Sequence, residues 1–308
     1  MTSEITLFVN PAAGRGRGAA AAQPAARALR DAGFTVRTVV GADADDALSR
    51  ARHAVRGGTG ALIAVGGDGM VSLALQAVAG TPVPLGVVAV GTGNDFARAT
   101  GLPVRDPGAA GRLVAEALKA GHQRALDLGR VGERWFGSVL ASGFDSRVND
   151  RGNRMRRPTG RLKYDLALLV ELAALRTVPY TITLDAGEPF EVAATLVAVG
   201  NGPSYGGGMR ICARAALDDG LLDVTVVGEC SRRELLRVFP RVYKGTHLGH
   251  PAVTTHRVRS VTLDAPGVTG YADGEPLGPL PLTVRAVPEA VRLLTDGPGT
   301  AGAVPPTG

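Results

Sequence analysis

Short apolar, β-branched runs punctuate the first third of the chain. Ile5 to Val9, Phe34 to Val40, Ala61 to Val65 and Leu85 to Val90 are each of strand length. Between them apolar positions recur at helical spacing. Ala47, Leu48, Ala51 and Val55 form one stripe, on a helix that Asp43 can cap and that ends at Arg56. Val71, Leu75 and Val78 form a second over Met70 to Val78, and a third helix is predicted over Arg112 to Ala120, stopped by Gly121. Strands alternating with helices predict a parallel sheet, with ligands at the carboxyl ends of its strands.

Beyond Asp127 the rhythm changes. Trp135 to Ala141, Tyr180 to Leu184, Val192 to Val199, Leu222 to Val227, Val258 to Leu263 and Leu282 to Ala286 read as strands with turn residues between most of them. A largely antiparallel β domain follows from that pattern. Glu289 to Leu294 is predicted as a final short helix, and the Pro- and Gly-rich tail 298–308 as disordered. One stretch interrupts the strands. Arg147 to Lys163 carries seven basic residues against Asp150 and leads into the amphipathic stretch Tyr164 to Arg176. A basic loop feeding an apolar helix can dock on an anionic membrane surface, and a solvated basic face beside a core-packing helix is the alternative. The apolar part, Leu166 to Leu175, contains Glu171 and is about half the twenty residues a membrane span needs, so contact with a membrane would be peripheral.

Composition narrows the class. With 308 residues, 45% hydrophobic and 20% charged, the chain can bury one large core or two medium ones, and a mainly disordered chain is excluded. Basic residues outnumber acidic ones 34 to 28, a formal charge of +6 that favours anionic partners, although nearly all the cations are Arg and coding bias accounts for that equally well. Two cysteines, Cys212 and Cys230, are too few for a disulfide framework, and the start MTSEITLFVNPAAG lacks the basic patch and apolar run of a signal peptide. A cytoplasmic protein is expected. His247 and His250 match no zinc spacing and read as residues of a solvent loop. No nucleic-acid partner is expected, and the oligomeric state is left open, a homodimer included.

The chemistry gathers at glycine-rich turns. Asn10 to Gly14, Gly66 to Met70 and Gly91 to Phe96 all fall at carboxyl ends of predicted strands. Glycine lets backbone N–H groups approach phosphate oxygens while the following helix points its positive end at the same anion. Neither a Walker loop nor a complete dinucleotide fingerprint is present, and each turn taken alone could be structural. Asp68 adds information. A carboxylate between glycines at a phosphate site points to Mg²⁺ coordination or general-base duty, against the alternative of a helix cap for the segment from Met70. In the second half, Asn201 to Gly208 is another permissive loop, and Leu217 to Leu221 follows. Asp273 and Glu275 flank a glycine, a pairing able to deprotonate an alcohol and hold Mg²⁺, or simply to make a hairpin turn.

Taken in order, LFVNPAAG, AVGGDGM, GTGNDFAR, GNGPSYGGG, LDDGLLDV and YADGEP resemble the diacylglycerol kinase catalytic-domain family, which includes soluble bacterial lipid kinases, sphingosine kinases and ceramide kinases. The resemblance runs from residue 5 to about 295. It implies an α/β nucleotide-binding domain over 1–127, with 287–297 packing back on it, a β-sandwich lipid-substrate domain over 128–286, and an active cleft between them. ATP would contact Asn10, Pro11, Ala12, Ala13 and Gly14, then Gly66, Gly67, Asp68, Gly69, Met70, Val71 and Ser72, then Thr92, with Asn94 and Asp95 lining the same site. Glu275 would accept the proton of the lipid hydroxyl, Asp68 would lie near the phosphates and Mg²⁺, and Asp273 would support one or both. A second, structural metal would map to the Asp219 carboxylate with the carbonyls of Ala216 and Leu221, and Asp218 is an adjacent candidate.

The chain also departs from the family pattern. Met70, Ser72 and Leu73 stand where bacterial members usually carry Thr and an Asn-Glu pair, a Met-and-Ser variant that resembles ceramide kinases, and Val40 and Gly41 stand where a threonine is often found. The expected activity is ATP-dependent phosphorylation of a diacylglycerol-like alcohol at a membrane surface. The alternatives are a soluble-substrate kinase such as an NAD kinase, and a nucleotide-binding regulator without catalysis.

Overall fold

A computed structural model describes residues 4–9, 13–144 and 176–297, with the backbone alone for 13–19. Two compact units emerge, one formed by residues 1–128, 216–220 and 287–308, the other by 129–215 and 221–286. The basic segment 147–163, the stretch 164–175, Asn10 to Ala12 and the tail 298–308 lie outside the described residues.

The first unit is the α/β domain. Strands β1 (Glu4–Val9), β2 (Thr35–Val40), β3 (Leu62–Gly66) and β4 (Leu85–Ala89) pair in parallel in the order β4-β3-β1-β2. Parallel pairing needs crossovers, and helices α1 (Ala13–Asp31), α2 (Ala44–Arg56) and α3 (Asp68–Val78) supply them, while α4 (Asp95–Ala99) and α5 (Pro107–Ala120) follow β4. Every residue of β3 and β4 is buried, while β2 is largely exposed at the sheet edge. Ile5, Leu7 and Val9 share one face with Ile63 and Val65 and pack on Ala25 and Leu29 of α1 and Val114 and Leu118 of α5. A Cβ on Gly111 would lie 2.7 Å from the Ala25 Cα, so glycine sets how closely α1 and α5 approach.

Local signals place these helices. Asp43 caps α2 by accepting the Asp46 N–H, and Asp106 does the same for α5 through Ala109. Because Pro107 occupies the first turn, α5 begins there rather than at Arg112, and it ends at the left-handed Gly121. On α2 the buried stripe is Ala47, Ala51 and Ala54, whereas Leu48 and Val55 are half-buried. Helix α1 had no counterpart among the predicted elements. It starts at Ala13, so Gly14 belongs to its first turn and not to an open loop.

The second unit is an antiparallel β-sandwich. The chain enters it along β5 (Gln123–Val131) and continues through β6 (Arg134–Phe136), β7 (Val139–Gly143), β8 (Val178–Leu184), β9 (Phe190–Gly200), β10 (Leu222–Gly228), β11 (Val253–Val258), β12 (Ser260–Asp264), β13 (Thr269–Ala272), β14 (Glu275–Pro279) and β15 (Leu282–Leu294). Strand β9 pairs with β8 along residues 190–194, with β7 along 196–200, and with β10. Tyr180, Ile182, Val197, Val199, Val224, Val261, Leu263 and Val284 fill the core. Helix α6 (Arg232–Lys244), absent from the predicted elements, begins with a reciprocal capping box between Ser231 and Glu234.

Several expectations need correction. Glu289 to Leu294 is strand, the end of β15, where Leu293 pairs with Leu85 of β4. Trp135 to Ala141 divides into β6 and β7 at Gly137 and Ser138, and Val258 to Leu263 divides at Arg259. His247 is 1% exposed in a 3₁₀ turn and not part of a solvent loop; its Nε2 lies 3.1 Å from the Ile211 carbonyl oxygen. Among the described residues no helix is long and apolar enough to cross a membrane.

Candidate active site

In the first unit two glycine turns meet backbone to backbone. Gly67 ends the turn after β3 and caps α3, and a Cβ on it would stand 3.1 Å from the Gly91 Cα. A Cβ on Gly91 would come within 2.5 Å of the Gly67 Cα, closer than any side chain tolerates. Asn94 shapes the second turn from a left-handed backbone, φ 57°. Its Oδ1 accepts the Gly91 N–H and its Nδ2 donates to the Gly91 carbonyl, both at 2.9 Å.

Asp68 joins the two turns. Its Oδ2 accepts the Asn94 N–H at 2.7 Å and its Oδ1 accepts the Phe96 N–H at 3.3 Å. The capping alternative is therefore right about the interaction and wrong about the helix: Asp68 sits inside the first turn of α3 and caps α4. A carboxylate offers about four lone-pair positions, so two N–H donors leave room for a hard cation at each oxygen. Asp68 is half-buried and Gly69 exposed at the open, positive end of α3. Met70, Val71 and Ser72 are buried, so their side chains face the unit's interior. Asn94 and Asp95 are buried as well, and Thr92 is exposed with its carbonyl accepting from Arg105 Nη2 at 3.2 Å. Arg98 Nε donates to the Gly93 carbonyl at 2.9 Å, which adds a second guanidinium to the same turn.

The first unit also holds a buried carboxylate that the sequence did not single out. Asp127, 2% exposed on β5, accepts the Gly220 N–H on Oδ2 at 2.6 Å and the Glu289 N–H on Oδ1 at 2.9 Å, while its own N–H donates to Leu217. It thereby fastens the excursion 216–220 and the end of β15 into the first unit. One signal was available: a lone acid inside the apolar strand run 126–128. Asp218 pairs with Arg124 at 2.7 Å. Ala216 and Asp219 belong to the same excursion, and Leu221 follows it directly. Among the described residues no group of three or more His, Cys, Asp or Glu side chains gathers as a metal site. The proposed donor set, one carboxylate and two carbonyls, is of a different composition.

In the second unit Asp273 and Gly274, φ 49° and 87°, form a two-residue hairpin between the paired Ala272 and Glu275. The hairpin turn is therefore present, and its first residue has further partners. Asp273 Oδ2 accepts the Gly137 N–H at 2.9 Å and Oδ1 the Ser138 N–H at 3.0 Å. Asn201, fully buried, donates from Nδ2 to the Gly137 carbonyl at 3.0 Å, and its N–H donates to Ser138. Strands β6, β7, β9 and β13 are thereby tied at one turn. Glu275, exposed, opens β14 from that framework.

Comparison with known proteins gives these features a family. The model of the diacylglycerol kinase catalytic domain matches residues 4–131, and that of the YegS C-terminal NAD kinase beta sandwich-like domain matches 138–295. A protein of Mycobacterium tuberculosis named diacylglycerol kinase is 45% identical over 296 residues, covering 94% of each chain. A crystal structure of a diacylglycerol kinase from Bacillus anthracis str. Sterne has the same fold, with a TM-score of 0.71 and 21% identity over 95% of this chain and 97% of that one. An NAD kinase from Archaeoglobus fulgidus in complex with ATP is more distant, with a TM-score of 0.57 and 10% identity over 95% and 94% of the two chains, a likeness of fold alone. With both halves matched in order and the relative aligned almost end to end, the chain belongs to the diacylglycerol kinase catalytic-domain family of phosphotransferases, whose acceptor is an alcohol.

Proposed function

We propose that the protein transfers the γ-phosphoryl group of ATP, in the presence of Mg²⁺, to the hydroxyl of a diacylglycerol-like lipid. The observation that carries this reading is the crossing of Gly67 and Gly91, with Asp68 spanning the two turns. The crossing sets the two turns against each other, and beside it the exposed Gly69, where an added Cβ would meet nothing within 4 Å, leaves the start of α3 open to a phosphate. The M. tuberculosis relative supports the choice of lipid by its name and its extent of identity.

Each proposed role follows from chemistry on the chain. The exposed end of α3 at Gly69 and the turn around Thr92 would receive phosphate oxygens, as would the start of α1 from Asn10 to Gly14. Asp68 presents remaining lone pairs to the cation while its bonded N–H groups hold it in one orientation. Magnesium, when bound, neutralises triphosphate charge. Glu275 takes the proton from the lipid hydroxyl. Asp273 acts behind it, fixing the hairpin from which Glu275 projects. For a second, structural metal the reading keeps Asp219 with the Ala216 and Leu221 carbonyls, beside the Asp218–Arg124 ion pair.

The test is incubation of the purified protein with radiolabelled ATP, Mg²⁺ and a total membrane lipid extract in mixed micelles, with NAD in a parallel tube. A labelled phospholipid is expected. Label in NAD but in no lipid would support the soluble-substrate alternative, and ATP binding without any labelled product would support the regulator. Glu275→Gln should abolish lipid labelling while leaving the thermal midpoint unchanged, since the residue is exposed.

A further inference from the structure

Among the described residues four large hydrophobic side chains are exposed, and two of them, Leu236 at 57% and Tyr243 at 40%, lie on helix α6. Scattered exposed hydrophobics need no explanation, but a pair on one helix does. At about 100° per residue, Leu236, Pro240 and Tyr243 fall within roughly 60° of one another on the helix surface. Arg233, Arg237 and Lys244 occupy the next sector. The whole helix carries five cations, Arg232, Arg233, Arg237, Arg241 and Lys244, against one acid, Glu234, which is held in the capping box.

Attachment of the helix leaves that face outward. Val242 is its buried residue and packs with Val139, Leu196, Ala198 and Ile211. Leu235, Val238 and Phe239 are half-buried around this anchor, with Phe239 on the side toward the exposed shoulder. Phe239 and Tyr243 meet edge to face, ring centroids 5.9 Å apart, which joins the shoulder to the anchored side. At the far end the left-handed Gly245 closes the helix.

We infer that α6 is a docking helix for an anionic lipid bilayer, lying in the interface with Leu236, Pro240 and Tyr243 entered among the acyl chains and Arg233, Arg237 and Lys244 against lipid phosphates. Charge decides the occupant. An apolar shoulder bordered by cations, on a helix whose one acid, Glu234, is tied into the capping box at its first turn, fits a surface that is both apolar and negative, and a bilayer bearing phosphatidylglycerol has both properties. A second copy of the same face would set like charges against one another. This inference rests on the lipid-kinase reading for its purpose, since docking would bring the protein to its acceptor, but its measurement is independent of catalysis.

The experiment uses the full chain and sedimentation with vesicles that contain no diacylglycerol. Binding is expected to vesicles of equal parts phosphatidylcholine and phosphatidylglycerol, and to weaken strongly with added salt and on pure phosphatidylcholine. The double variant Leu236→Glu, Tyr243→Glu should lose about tenfold or more in partition. Neutralising Arg233, Arg237 and Lys244 to Gln should cost roughly fivefold for each cation. All these positions are outside the proposed catalytic groups, so phosphorylation of a short-chain diacylglycerol kept below its aggregation point should persist in every variant. Unchanged vesicle binding by the double variant overturns the inference, as does wild-type protein that ignores anionic vesicles. A dimer in sedimentation velocity that the double variant dissolves would overturn it too, by showing a second copy on the face. Failure of the wild type to phosphorylate any lipid would instead overturn the function and leave the vesicle result standing.

Discussion

Gly91 has no room for a methyl group, because the atom would sit 2.5 Å from the backbone of Gly67. Gly91→Ala should therefore destabilise the first unit by about 1–3 kcal/mol through overpacking, and the drop in denaturant midpoint measures it. The neighbouring carboxylate should matter differently. Asp68→Asn exchanges one acceptor oxygen for a donor that faces an N–H, so loosening of the Asn94 turn and loss of activity are expected together. His247 offers a pH test. Burial pushes its imidazole below the ordinary value of 6.5, and its Nδ1 has no hydrogen-bond partner among the described residues. Below that pH the unfolded chain takes up a proton that the folded chain refuses, so stability present above 6.5 should fall as the solution is acidified through it. His247→Gln, which can still donate to Ile211, should flatten that part of the stability profile. Burial also raises the Cys212 thiol to about 12, which predicts no alkylation in the native state at mildly alkaline pH and reaction on unfolding. Of these residues the glycines and Asp68 were readable as turn chemistry. What they touch was not, because a backbone crossing between residues 67 and 91 leaves no periodic trace.

At the scale of elements, the hairpin at Asp273 and Gly274 is the joint that positions Glu275. Asp273→Asn preserves a residue tolerant of positive φ while disturbing the bonds to Gly137 and Ser138, and a loss of about 1–3 kcal/mol in urea unfolding is expected. Helices with conventional caps were legible: Asp43 and Gly121 marked ends that the structure keeps. Helix α6 escaped because Pro240 and a wide apolar arc obscured its period, although Ser231 and Glu234 spell a capping box. The segment from Glu289 to Leu294 misled in the opposite direction. Its charges fall at helical spacing, yet Asp127 takes the Glu289 N–H and β4 supplies a parallel neighbour, so tertiary pairing overrides local propensity.

For the whole molecule, alternation of strands and helices before Asp127, and of strands with turns after it, was enough to separate an α/β unit from an antiparallel one. The five-residue excursion 216–220 into the first unit was not visible, since a segment that short has no pattern of its own. Its attachment rests on Asp127, which accepts the Gly220 N–H and donates its own N–H to Leu217, and on the Asp218–Arg124 pair. The functional reading, by contrast, joins residues that each unit supplies: Asp68 from one, Glu275 from the other. Transfer of label from ATP to extracted membrane lipid, with wild type, Asp68→Asn and Glu275→Gln compared at equal folded concentration, tests that reading most directly. A labelled phospholipid from the wild type, falling to background in both variants, is the expected result. Undiminished lipid labelling by Glu275→Gln, or no labelled lipid from the wild type, would contradict it.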